Sequence, residues 1–373
     1  MRAVARAHHV SLSTVQRALQ RAGAQRLDRV DWQDRSHARQ RPQRTAAAME
    51  ERIVRLRHEL GVTSDLGEYG AVALRRVLLE RGATQVPAVR TIHRIVARRG
   101  LLDRQRRVRR PAPPPGWYLP DVVSGCAELD SFDFVEGVVI QNGPHVEILN
   151  GVSLHGGLIG SWPGPIFTAT VTMATLLTHW QTVGLPAYAQ FDNDTRFQGP
   201  HQHRDVVSRV MRLCGHLGVT PVFAPPREHG FQNAVENLNG RWQQKVWSRF
   251  HHASLDALQQ QSDRFVAATR LRRAVRLAAA PTRPLIAPTW QLDLQASPTG
   301  RAIFLRRTTE GGTVSVLGRA FPLDPLWPHR LVRCEVNFDD HAIRFYRLRR
   351  REPLDQPLIL EVPYVLPHRR FRE

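Results

Sequence analysis

Apolar positions recur at helical spacing in the first third of the chain and at strand spacing afterwards. Over 1–23, Val4 to Ala7 close one short helix, Val10 and Ser11 form a turn with Ser11 as the N-cap, and Val15 and Leu19 give a second helix its inward side. Met49, Ile53, Val54 and Leu56 predict a helix over 46–58. Val72, Leu74, Val77 and Leu78 predict another over 70–80, and Val89, Ile92 and Val96 a third that starts at Pro87. From 128 the pattern changes. Strands are predicted at 128–135, 146–153 and 156–162, then a helix at 167–183, a strand at 187–191, a helix at 205–217, a strand at 219–224 and a helix at 231–250. A basic helical stretch covers 254–276 and a Pro-rich crossing 281–298. Short strands follow at 303–305, 314–317, 331–338, 343–348 and 358–362, with Gly311-Gly312 and Asp339-Asp340 at turns.

This order divides the chain. Residues 1–25 read as a helix-turn-helix; a complete three-helix unit needs more chain before Met1, so the expectation is a truncated or misassigned start. Residues 46–102 read as a second helical or helix-turn-helix domain. Residues 103–120 form a basic and Pro-rich linker, nearly all Arg over 104–110 and nearly all Pro over 111–115. Residues 121–280 are an α/β core, and 296–370 a small C-terminal β-barrel. Three strands in a meander followed by helix, strand, helix, strand and helix is the order of a ribonuclease-H-like fold.

Charge narrows the partners. The 373 residues hold 53 Lys plus Arg, mostly Arg, against 33 Asp plus Glu, for a formal net charge of +20. Guanidinium groups suit phosphate, so a nucleic acid is the expected partner. In the first helical pair Ser13, Thr14, Gln16, Arg17 and Gln20 lie off the inward side and are placed to reach base edges or phosphates; Arg90 and Arg94 do the same in the second unit. Cys126, Cys214 and Cys334 are scattered, which excludes a disulfide scaffold and fits a reducing cytoplasm. His201, His203, His216 and His229 have no paired Cys, so no structural zinc is expected. No apolar run approaches membrane-spanning length.

Acidic residues at element ends carry the candidate chemistry. The strand 187–191 delivers Asp192, followed by Asn193 and Asp194. The loop from Pro225-Pro226 feeds a helix carrying Asn233-Ala234-Val235-Glu236. The first strand offers Asp130 or Asp133, which an odd offset puts on opposite faces. Hard divalent ions take such oxygens, and two ions a few ångströms apart can drive phosphodiester chemistry.

Asp133-Phe134-Val135, Asp192-Asn193, and Pro225-Pro226 with Asn233-Ala234-Val235-Glu236 together resemble the DDE integrase superfamily. Within it the chain is similar to insertion-sequence transposases with an integrase catalytic core. The resemblance covers about 116–276. It implies a ribonuclease-H-like core, Mg²⁺ or Mn²⁺ held by Asp133, Asp192 and Glu236, and DNA 3′-end cleavage followed by strand transfer. It also implies element terminal repeats and target DNA as partners, a homo-oligomer in a synaptic complex, and a nucleoid-associated place in the cytoplasm.

Two choices stay open in the motif. Glu228 lies 36 positions after Asp192 (228 − 192), a spacing familiar from retroviral integrases, and Glu236 lies 44 after it (236 − 192) but in the family's local context. Asp130 fits a retroviral-style alignment, whereas Asp133 fits the interval to 149–152. The sequence departs from the family with Asp194 in the usual Gly place, and Arg241, Lys245 and Arg249 lie off the Glu236 side of the helix. Asn239 and Gln243, at i+3 and i+7, share that side and are candidate holders of DNA backbone. The competing functions are a catalytically inactive transposase-derived DNA-binding protein and a structure-directed nuclease of the same fold.

Overall fold

The computed structural model describes residues 1–33, 45–64, 68–102, 115–140, 143–200, 203–228, 230–325, 327–350 and 352–367. Most of the expected linker at 103–120 therefore lies outside the described residues, as do His201 and His229. The chain is a mixed α/β protein built on one large mixed sheet. Among the described residues no helix is long and apolar enough to cross a membrane.

The N-terminal part is helical. α1 (Arg2–Ala7) and α2 (Leu12–Ala22) form a pair in which Ser11 caps α2 by accepting the Thr14 N–H at 3.1 Å. Leu19, expected inward, is instead 52% exposed, because a six-residue α1 is too short to cover it. α3 (Ala47–Thr63), α4 (Ala71–Glu80) and α5 (Val89–Arg98) bury Ile53, Leu56, Leu74, Leu78, Ile92 and Val96 against one another. Val89 is exposed, and Ile95 takes the inward place expected of it. Arg98 pairs with Glu50 and Arg99 with Glu51 between α5 and α3.

After the short α6 (Pro120–Val123) come β1 (Leu129–Val139), β2 (His145–Ser153) and β3 (Ile159–Gly164), each antiparallel to the next. Then follow α7 (Ala169–Val183), β4 (Tyr188–Phe191), α8 (Thr195–Gln198), α9 (Arg209–His216), β5 (Thr220–Phe223) and α10 (Asn233–Trp242). α10 runs on without a gap through a wide turn of π-helix over Gln243–Trp247, so the long helix expected over 231–250 spans Asn233 to Trp247. α11 (Leu255–Arg272), α12 (Ala274–Ala278) and β6 (Arg301–Arg307), β7 (Thr313–Val316), β8 (Arg319–Pro322), β9 (Leu331–Asn337), β10 (Ala342–Arg347) and β11 (Leu358–Pro363) complete the chain.

The sheet order is β11-β10-β9-β6-β5-β4-β1-β2-β3. At its centre β1, β4, β5 and β6 run parallel. On one face Phe132, Phe191, Phe223 and Phe304 form a row, with successive ring centroids 5.8, 6.1 and 5.0 Å apart, beneath α7 and α9. The other face carries Val135, Ile148 and Ile159 under Val235, Leu238 and Trp242 of α10 and Phe265 of α11. Gly151 stands opposite Phe132 across β1 and β2, where a Cβ would come within 2.5 Å of the Phe132 ring, so only glycine lets that ring lie flat on the sheet.

Two expectations are corrected here. The strands expected to form a separate C-terminal barrel instead extend the core sheet: β6 joins β5 in parallel through Val222↔Ile303 and Phe223↔Phe304, and β9, β10 and β11 follow. Ala302, Ile303, Phe304 and Leu305 are fully buried, so β6 needs cover on both faces, which an interior position supplies. Among the described residues no pairing closes these strands on themselves, and β7 and β8 form a separate hairpin. The linker expected to reach 120 also ends earlier. Trp117, Tyr118 and Leu119 are buried, Trp117 lies 5.8 Å from Phe231, and the Tyr118 hydroxyl donates to the Phe231 carbonyl just before α10.

Asp130, on the Phe132 face, is 1% exposed and is gripped by Arg283 through two hydrogen bonds of 2.9 and 2.6 Å, with the Trp180 indole donating to it at 3.2 Å. That pair ties the crossing at 281–298 to β1. Asp130→Asn should destabilise the fold by about 3 kcal/mol, because it strands the arginine in a dry site. Denaturant unfolding checks this, and a loss under about 1 kcal/mol would contradict it.

Candidate active site

The register of the parallel strands builds the site. Asp130 stands beside Ala189 and Ser131 beside Gln190, so the same register continued by two residues sets Asp133, still within β1, level with Asp192, the first residue past β4. Adjacent strands lie about 4.8 Å apart, and residues level with each other in a parallel pair share a face. Here that face is the one covered by α10. Asp133 is partly buried, accepts from the Phe134 N–H, and receives the Asn239 amide at 2.8 Å on Oδ2. Asn239 in turn accepts from Asn150 at 2.8 Å. Asn150 is fully buried and is the cross-strand neighbour of Asp133. A chain of two amides thus fixes one oxygen of Asp133.

Asp192 is held from the other side. Its Oδ1 accepts the Asp194 N–H at 2.9 Å. Asp194 then caps α8 by accepting the Arg196 N–H at 2.8 Å. Arg196 bonds Asp194, Glu147 and Glu136 and lies 3.8 Å over the Phe134 ring. Its charge is spread over three other carboxylates, yet it still favours ionised Asp192.

Electrostatics mark the pair. Burial pushes the Asp133 carboxyl up to about 7, the charges of Asp192 and then Glu236 push the same way, and the Phe134 and Asn239 donors pull against them. Asp192 is raised as well, first by burial and then by Asp194, while the Asp194 N–H and Arg196 oppose the rise. Glu236 is exposed in the first turn of α10, where a negative charge suits the helix N-terminus. Among the described residues no group of three or more His, Cys, Asp or Glu side chains is close enough to hold a metal ion together. The expected three-carboxylate cluster is therefore not drawn in: two acids sit together, and the third stands off at the helix start yet is felt by Asp133. A partly buried pair of carboxylates, each with one oxygen anchored, suits a hard divalent cation.

The other candidates lie elsewhere. Asp130 is committed to Arg283 on the opposite face, and Glu228 is bound through both oxygens to Arg307 of β6, one bond measuring 2.7 Å. Asn239, expected to hold DNA backbone, spends its amide on Asp133 and Asn150 instead. Gln243 is exposed at the start of the π turn. Ser13 and Thr14 share hydroxyl bonds with Ser11 at the α2 cap, and Gln16, Arg17 and Gln20 are exposed on α2, as are Arg90 and Arg94 on α5. None of these helix residues belongs to the elements that form the acid pair. Sequence reasoning missed the role of Asn150, although an Asn inside the apolar run Ile148-Leu149-Asn150-Gly151-Val152 is the kind of buried polar group that demands a partner.

No family model matches the chain, and no curated protein matches it. Among solved structures it is similar to a chain in the cryo-EM structure of the simian T-cell lymphotropic virus intasome in complex with PP2A regulatory subunit B56 gamma, at 15% identity over 80% of this chain and 96% of that one, with a TM-score of 0.36. It is also similar to the catalytic core domain of BIV integrase, at 20% identity over 36% of this chain and 80% of that one, TM-score 0.28. A third likeness is to the HTLV-2 integrase catalytic core domain in complex with magnesium, in a dimeric form, at 14% identity over 41% and 87%, TM-score 0.28. All three TM-scores are below 0.5, and the site's own geometry carries the functional reading.

The raised Asp133 gives a pH signature in metal-free protein. Its folded-state value lies above the usual 3.8, so the folded state binds the extra proton and this site's contribution to stability falls as pH rises from about 4 through about 7. Asp133→Asn should therefore raise the thermal midpoint most at pH 8, less at pH 5, and leave it nearly unchanged only below about pH 4. By carboxyl NMR the wild-type Asp133 should titrate near 7, and Asp192→Asn should lower that midpoint. A midpoint near 4 in both proteins would contradict the coupled pair.

Proposed function

We propose that the protein is a DNA strand-transfer enzyme of the DDE type, an insertion-sequence transposase whose ribonuclease-H-like core works through Asp133, Asp192 and Glu236. The observation that carries this reading is that the β1–β4 register, continued two residues, sets Asp133 within β1 level with Asp192 just past the end of β4, with the Asp192 and Glu236 charges both acting on Asp133. The strand order β3-β2-β1-β4-β5, with an antiparallel meander followed by parallel strands, supports the core assignment.

Asp133 and Asp192 would hold Mg²⁺ or Mn²⁺, with Glu236 completing the set from α10. A divalent cation bound there supplies Lewis acidity toward a phosphodiester. The chain's own residues do the positioning. Asn150 and Asn239 fix the Asp133 carboxyl, the Asp194 N–H fixes Asp192, and Trp117 and Tyr118 brace the loop that leads into α10. Anchored ligands lose little freedom when charge develops on the phosphate. The exposed Arg17, Arg90 and Arg94 add attraction for DNA away from the acids.

With its element's terminal repeats and either ion, the wild-type protein should nick 3′ ends and join them to target DNA. Asp192→Asn and Glu236→Gln should each lower joining by about 10³-fold while DNA binding stays within about twofold. Glu228→Gln, which only releases Arg307, should cost less than about tenfold. An active Glu236→Gln enzyme beside a dead Glu228→Gln enzyme would overturn the residue assignment, and absence of any joined product from the wild type would overturn the function.

Binding itself should be dominated by phosphate contacts, so affinity should drop steeply between low and moderate salt. Arg17→Ala should weaken binding to element ends more than to random DNA. Equal loss on both would remove α2 from sequence recognition.

A further inference from the structure

A cavity of about 500 Å³ opens at the same carboxyl edge of the sheet as the acid pair, on the opposite face. It lies between the core and the β7–β8 hairpin. Asn193, directly after Asp192, forms part of its wall, with Gln198 and Pro226 from the core and Arg306, Ser315 and Leu317 from the C-terminal part. Phe191 is level with Phe223 and Phe223 with Phe304, so Arg306 emerges two residues beyond the phenylalanine row, on its face. Two strand spacings, about 10 Å, separate β4 from β6.

Two groups in the wall ask for a ligand. Arg306 is 9% exposed and donates to the carbonyls of Ala224 and Leu305. No carboxylate is among the groups acting on it, and burial pushes its guanidinium down to about 10. The nearby Glu228 is taken by Arg307. A buried cation without an anion is costly. The second group is the Gln198 amide oxygen, which is buried with no hydrogen-bond partner among the described residues. Pro226 and Leu317 supply apolar walls between these polar points. The volume falls within the range of small-ligand sites, roughly 300–1,000 Å³.

We infer that this cavity is a binding site for one nucleoside phosphate unit, with its phosphate on Arg306, its base against Pro226 and Leu317, and a base amine donating to Gln198. The unit is either a free nucleotide or one nucleotide of a DNA strand crossing the sheet edge beside Asp192; the second source rests on the strand-transfer reading, and the cavity itself does not.

The test omits divalent ion and strand transfer, so it is independent of that activity. Deoxyadenosine 5′-monophosphate is titrated calorimetrically, and DNA carrying 2-aminopurine is followed by fluorescence, against wild type, Asp192→Asn, Arg306→Gln and Ser315→Phe. Ser315 is exposed on β7, so a phenylalanine there fills the cavity without entering the core. Wild type and Asp192→Asn should bind at least one of the two ligands at least tenfold more tightly than Arg306→Gln and Ser315→Phe. A response to the monophosphate identifies a free-nucleotide site, and a response to DNA alone a strand site; either supports the proposal. A Ser315→Phe protein that binds both ligands as wild type does, or a wild type that binds neither in the cavity, would overturn it, whatever Arg306→Gln does. A protein that binds the nucleotide but never joins DNA would sink only the strand-transfer reading.

Discussion

The structure depends on the register of four parallel strands, held by the row of Phe132, Phe191, Phe223 and Phe304. Each ring sits level with its neighbour, packed on one face under α7 and α9. A slip of one residue in any strand would turn that ring to the α10 face and carry every other side chain of the strand with it. Asp133 is one residue past Phe132, and Asp192 one past Phe191. The aromatic row on one face therefore sets the carboxylate pair on the other. Gly151 belongs to the same constraint, because it leaves room for the ring that begins the row.

Charge explains why this pair differs from the other acids. In a chain of net charge +20, most buried carboxylates have found a cation or a set of backbone donors. Asp130 has Arg283, Asp205 has Arg319 and the Tyr364 hydroxyl, and Glu128 accepts the N–H groups of His155 and Gly156. Asp133 has two neutral donors and two negative neighbours, so its carboxyl is raised, whereas Asp192 shares an arginine already bonded to three other carboxylates. Such an arrangement is unfavourable for folding alone and favourable for a divalent cation.

Local chemistry made part of this legible in the sequence. Apolar runs ending in an acid identify the strand before Asp192, and the spacing of Val235, Leu238 and Trp242 identifies the buried side of the helix that carries Glu236. Apart from β8 (Arg319–Pro322), the C-terminal strands are equally legible as strands, but not their partner: β6 pairs with β5 across a long connection, and periodicity says nothing about which sheet a buried strand joins. The same limit applies to side-chain destinations. That Asp130 is bound by a residue 153 positions away depends on tertiary placement, as does the turn of Asn239 inward to Asp133. Trp117 to Leu119 looked like the tail of a linker because Pro and Arg dominate the residues before them, yet three adjacent large apolar residues are what an anchoring segment requires.

On the reading we propose, register makes Asp133 and Asp192 the floor of one divalent-cation site. A crystal structure of the protein soaked with Mn²⁺, read by anomalous scattering, tests this. A peak is expected roughly 2.0–2.4 Å from one oxygen of each aspartate, with Glu236 drawn toward it. An anomalous map with no peak between the two aspartates, or with Mn²⁺ bound only at Glu228 or Asp130, would contradict it.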